Sequence, residues 1–229
     1  MLQHTLLLFQ TAEGLERQEE TENLFSILAD SGLLAIVIYI ILFILFVVSV
    51  YIFFERYGAI KRAGKVDDSF MNNIRANVQS GNIQGAKALC QTTDSPVARM
   101  VEKGIQRIGK PLRDIDAAIE NVGNLEIFKL EKSLSTLASI AGAAPMIGFF
   151  GTVTGMIAAF YNMSTQQNVT PSVLAGGIYT ALLTTAMGLA IGILAFIGYN
   201  VLVANVEKVV FKMERSTTEF MDLLQEPTA

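Results

Sequence analysis

The chain has 229 residues, a formal net charge of −4, one cysteine, 52% hydrophobic and 17% charged residues, and a mean hydropathy of +0.45. Charged residues supply about a quarter of ordinary globular sequence, so this is the composition of an integral membrane protein with no nucleic-acid partner expected. A single cysteine, Cys90, excludes an internal disulfide, His4 stands alone, and no P-loop or nucleophile elbow is present, so neither enzyme chemistry, a metal nor a cofactor is expected.

Residues 1–30 form an acidic outer segment whose one basic side chain is Arg17. The apolar run from Met1 to Ala12 lacks a positive n-region and a clear cleavage site, so an amphipathic segment is expected there rather than a signal peptide. Residues 31–54 are free of charge and rich in Ile, Leu, Val and Phe. As a helix they would extend about 36 Å, enough for a first membrane span. Having almost no small residues, this helix is expected to face lipid, with Tyr51 and Tyr57 at its interface.

From 55 to 133 the chain turns polar. Its pattern predicts short helices over Ser69–Gln79 and Ile83–Gln91, divided by Ser80-Gly81-Asn82. A third covers Pro96–Ile108, ended by Gly109, and Pro111 is placed to open the next. No stop signal follows before Tyr161 except Pro145, which predicts one long helix entering the membrane, kinked at Pro145. Sixteen of the seventeen basic residues lie in 55–132 and in the tail from Glu207, against Arg17 alone on the other side. The positive-inside rule therefore places the N-terminus outside and these two regions in the cytoplasm.

Ser133 to Val206, 74 positions, contain no Asp, Glu, Lys, Arg or His. Two further spans fit, at 134–161 and 172–205, joined by a polar loop at 162–171. The third is expected to continue as a cytoplasmic helix within 206–229, to about Leu224, because Val209, Val210, Met213 and Phe220 keep a helical period. On the second span Ser135, Ser139, Gly142, Gly148, Thr152, Gly155 and Ala159 share one stripe. On the third, Gly177, Ala181, Thr185, Gly188, Gly192 and Ala195 do the same, with Tyr199 at its end. Membrane helices associate through small residues that let backbones approach. Gly148, Gly151, Gly155, Gly177, Ala181, Gly188 and Gly192 therefore read as packing residues. Threonines in a span usually bond back to a carbonyl of their own helix. Antiparallel pairing, however, brings Thr152, Thr154, Thr180, Thr184 and Thr185 to similar depth, which suggests a shared polar surface.

The run from Ala144 to Met156, with Pro145, Gly148, Gly151, Thr152, Val153 and Gly155, resembles the Pro-x-x-Gly-x-x-Gly-Thr-Val-x-Gly signature of the MotA/TolQ/ExbB proton-channel family. Ala181 to Leu189, followed by Tyr199-Asn200, resembles its other transmembrane signature, and within the family the likeness is nearest to ExbB. The resemblance implies an all-α membrane fold in the bacterial inner membrane, assembled as a homo-pentameric ring around two transmembrane helices of an ExbD-like one-span partner. That partner's Asp carries the proton, and a TonB-like protein receives the work. It also implies that Thr152 and Thr185 face the lumen. The family's usual Glu before the Ala-Leu of the second signature is Thr180 here.

No span contains an ionisable side chain of the kind that normally moves protons through a bilayer, so this chain alone cannot carry them. Three functions compete: an energy-coupling proton-channel subunit of TonB type, or of Tol or another motor type; a scaffold whose stripes only pack helices; and a self-sufficient transporter. The last is disfavoured because three spans without a charge or an internal repeat offer no binding site.

Overall fold

The computed structural model describes residues 32–65, 68–165 and 171–225, and it is helical throughout, with no strand among the described residues. Helices α1 (Gly32–Ala63), α2 (Asp68–Gln79), α3 (Ile83–Thr92), α4 (Pro96–Ile105), α5 (Leu112–Glu131), α6 (Leu134–Thr165) and α7 (Pro171–Gln225) follow in order. Three helical stretches are long and apolar enough to cross a membrane: Leu33–Ala63, Leu112–Thr165 and Leu174–Gln225. The expected outer segment 1–30, the middle of the expected loop 162–171 and the last four residues lie outside the described residues.

The chain divides into two compact units. One takes in the described parts of 1–44 and 144–190, and the other 45–143 and 191–229. In the second unit, local chemistry sets each helix boundary. The Asn82 side chain accepts from the backbone N–H of Gly85 at 3.0 Å, and Gly81, at φ +74°, makes the left-handed turn before it. Ser95 caps α4 by accepting from Ala98 N–H at 3.1 Å, with Pro96 in the first turn. That helix ends at Ile105, before the predicted Ile108, and Gly109 then turns the chain at φ +92°. Pro111 is the N-cap of α5 rather than its first helical residue.

The core of this unit is mostly apolar. Val97, Val101 and Ile105 of α4 are buried with Ile115 and Ile119 of α5, and Phe220 of α7 has no exposed surface. Gly104 is where α4 admits Phe220: a Cβ there would lie 2.4 Å from the Phe220 ring and 2.8 Å from Ile119 Cδ1. Glu126, buried beside this core, accepts from Arg99 Nη2 and Lys129 Nζ, each at 2.7 Å. Burial alone would raise its pKa, but the two cations outweigh that and hold the carboxyl below its ordinary value.

One prediction is corrected here. The long helix into the second span is two helices, broken at Lys132 (ψ 133°) and Ser133 (φ 66°). These angles make a type II-like step, which costs a non-glycine residue about 1 kcal/mol. Burial of Leu130, Leu134 and Leu137 on both sides fixes it in place. Pro145 lies inside α6, within a helix that continues past it to Thr165. At the other end α7 runs unbroken through Gln225.

Candidate functional site

In the first unit α6 and α7 meet along a seam of small residues. A Cβ on Gly188 would sit 2.6 Å from Ala144 O and 2.9 Å from Gly148 Cα, while one on Gly148 would sit 2.7 Å from Thr184 O. Further along, a Cβ on Gly151 would fall 2.6 Å from Thr184 Oγ1, on Gly155 2.8 Å from Ala181 Cβ, and on Gly177 2.9 Å from Ala159 Cβ. Residue numbers rise on one helix as they fall on the other, so the pair is antiparallel. The backbones touch, and only residues without side chains permit this. Gly142 has open space around it, and Gly192, in the second unit, is buried.

Close approach brings hydroxyls of one helix to carbonyls of the other. Thr152 Oγ1 donates to Ala181 O at 2.8 Å, across the seam. Thr184 Oγ1 reaches Gly148 O at 3.1 Å and Ala181 O at 2.7 Å, and Thr185 Oγ1 reaches Gly148 O at 3.1 Å. Thr152 and Thr185 are also hydrogen-bonded to each other through their hydroxyls. Each hydroxyl has one proton to give. With Thr152 donating to Ala181 O, Thr185 is left to divide its proton between Gly148 O and Thr152 Oγ1.

The five threonines do not form one surface. Thr154 bonds to Phe150 O and Gly151 O, and Thr180 to Gly176 O and Gly177 O, all carbonyls of their own helices. Thr152, Thr184 and Thr185 form the network, and they differ in access. Thr184 is 1% exposed, sealed in the seam, whereas Thr152 and Thr185 are half-buried. The network is neutral. Its hydroxyls can turn to donate to a carboxylate or accept from a carboxylic acid, but they cannot take up a proton themselves near neutral pH.

The sequence reading of α1 as a lipid-facing helix needs correction in this unit. Ile38, Tyr39 and Leu42 are buried, and Tyr39 donates from its hydroxyl to Thr180 O at 3.1 Å. The opposite face, with Leu33, Ile40 and Ile44, is exposed. The signal for the buried face was Tyr39 itself, a polar tip in mid-span that needs a partner away from water.

Residues 92–215 match the model of the MotA/TolQ/ExbB proton channel family, a span that contains the whole seam. A Tol-Pal system protein TolQ from Pseudomonas aeruginosa is 28% identical over 213 residues, covering 88% of this chain and 92% of that protein. A putative biopolymer transport protein ExbB homolog from Methanothermobacter thermautotrophicus is 30% identical over 120 residues, 52% of this chain and 42% of that one. The biopolymer transport protein ExbB of Pseudomonas putida is 40% identical over 72 residues, 31% of this chain, which spans only 22% of that protein.

Proposed function

Because the chain belongs to the MotA/TolQ/ExbB proton channel family, we propose that it is the ring-forming subunit of a membrane motor that couples proton flow to work in the cell envelope. Several copies, five by the family resemblance, surround the transmembrane helices of a one-span partner whose Asp takes up and releases the proton. Thr152 and Thr185 are the groups this chain offers to that carboxylate, and Thr184 holds the two helices together beneath them. The charge bias puts residues 55–132 and the tail from Glu207 in the cytoplasm. Each proton crossing inward would release about 2.3 kcal/mol per 100 mV.

The observation that carries this reading is the split within the network: two accessible hydroxyls and one sealed one at a seam free of ionisable side chains. A scaffold needs only the sealed one. The test is native mass spectrometry of the full chain, alone and co-expressed with its one-span partner, followed by proton flux in liposomes for Thr152→Val and Thr185→Val. A ring that takes up a fixed, small number of partner copies and loses flux in both variants is the expected result. A monomer or dimer that ignores the partner, or variants with full flux, would leave only packing.

Two branches of the family fit. The sequence signatures favour TonB-type import. Alignment along nearly all of a TolQ supports envelope maintenance by a Tol-type motor as well. Deleting the gene separates them: loss of TonB-dependent uptake marks the first branch, and leakage of the outer membrane with intact uptake marks the second.

A further inference from the structure

The second unit contains a cavity of about 250 Å³ between the later part of α1 and α7. Lys61, Lys208 and Lys212 stand at its edge, and Ile60 and Val209, 2% and 5% exposed, form its apolar floor. No carboxylate lines it. Among the described residues none of the three lysines is in an ion pair. Lys212 Nζ donates to Gly64 O at 2.8 Å, and Lys61 Nζ lies 5.9 Å from the centre of the Tyr57 ring. Gly64 is what lets α1 lie on α7 at this point, since a Cβ there would already be 3.3 Å from Val209 Cγ2.

Three lysines with no carboxylate among them, around an apolar floor, make an edge that attracts an anion. The depth of the site says which anion. Helical rise puts Lys61 about 10 Å beyond Phe54, where the first charge-free span ends, and Lys212 about 9 Å beyond Val206, where the long charge-free stretch ends. Both helices thus bring these lysines to the layer of bilayer headgroups, where aromatic rings such as Tyr57 also concentrate. Lysine stems lie along apolar surface while the ammonium reaches for the phosphate level. The geometry points to a binding site for the phosphate of an anionic phospholipid, with the head of an acyl chain against Ile60 and Val209. It rests on the reading that α1 and α7 cross the bilayer. That reading fails separately, if alkaline carbonate strips the full-length protein from membranes.

The experiment is native mass spectrometry of the full-length protein in neutral detergent, titrated with phosphatidylglycerol or phosphatidylcholine. Phosphatidylglycerol should be retained at one per chain and phosphatidylcholine not at all. Replacing one basic residue near a membrane surface weakens anionic binding about five-fold, so Lys208→Gln should lower affinity by that factor and the triple variant K61Q/K208Q/K212Q by roughly 100-fold. The variant K61R/K208R/K212R, which keeps the charge, should bind like the wild type and separates lost charge from lost folding. Equal retention of both lipids, undiminished phosphatidylglycerol binding by a folded triple-glutamine variant, or its displacement by millimolar inorganic phosphate would each overturn the proposal. The last outcome would mark a site for free anions instead.

Discussion

Alanine at Gly188 and alanine at Gly176 should move stability in opposite directions, although both add one methyl group to the same helix. At Gly188 the new Cβ would stand 2.6 Å from Ala144 O and 2.9 Å from Gly148 Cα, where ordinary contact begins at 3.4 Å. Both neighbours are backbone and cannot rotate aside, so the helices must part by roughly 0.8 Å in an interior packed as tightly as a crystal. That would stretch the Thr184 and Thr185 bonds to Gly148 O, now 3.1 Å each, past useful length. Overpacking costs about 1–3 kcal/mol, and each interhelical hydrogen bond in a membrane protein averages about 0.6 kcal/mol. Gly176 has nothing within 4 Å of such a Cβ, so there alanine brings only its better helix propensity, worth up to about 1 kcal/mol. The two variants should therefore differ by about 2–4 kcal/mol. For a chain of this size that is a separation on the order of 5–15 °C in Tm, measured on full-length protein in detergent by fluorescence-detected size exclusion. If Gly188→Ala melted at or above Gly176→Ala, the backbone contact between α6 and α7 would not be what holds the seam.

Glu126→Gln should cost about 1–2 kcal/mol at neutral pH, at the low end for buried pairs because Arg99 and Lys129 are themselves partly exposed. Since the Glu126 carboxyl is held below its ordinary value, its contribution is present above the ordinary carboxylate range and lost as pH falls through the lower folded value; acid titration of Tm should be shallower in the variant. Cys90, buried and with its thiol pushed up to about 12 chiefly by burial, should resist maleimide at pH 7.5 and react on unfolding; rapid labelling of the native protein would contradict the packing of α3. Ser133→Gly relieves the positive φ at the break before α6 and should raise Tm by about 2–4 °C, for a gain of up to about 1 kcal/mol. Thr180→Glu should leave flux intact where Thr152→Val abolishes it, because the Thr180 hydroxyl bonds only within its own helix.

What the sequence makes plain follows from local rules. Gly81, Asn82 and Gly109 announce turns because their chemistry acts within a few residues, and the structure uses all three in that way. The small-residue stripes are readable because a 3.6-residue period survives any packing partner. Two features are not readable. The break at Lys132–Ser133 has no glycine or proline to mark it and is imposed by burial of the leucines around it. The division of the threonines needs the rotation of each helix about its axis: Thr184 and Thr185 are adjacent in sequence, yet one is sealed and the other half-buried. Depth alone groups all five, and azimuth separates Thr154 and Thr180 from the rest.

Packing and chemistry at the seam are therefore one device. An interhelical bond from a threonine hydroxyl, a side chain of three heavy atoms, to the opposite backbone needs that backbone within a few ångströms, and Gly148, Gly151 and Gly188 supply the approach. Once it exists, each hydroxyl is satisfied inside the protein at rest, as burial in an apolar medium demands. On the proposed function, an arriving carboxylate would compete for donors that are already oriented, and Thr152 and Thr185 could turn toward it while Thr184 shares its one proton between Gly148 O and Ala181 O. Removing Thr184 should thus weaken the helix pair without changing its selectivity for a partner. Removing Thr152 or Thr185 should leave the pair standing and take away the answer to a charge.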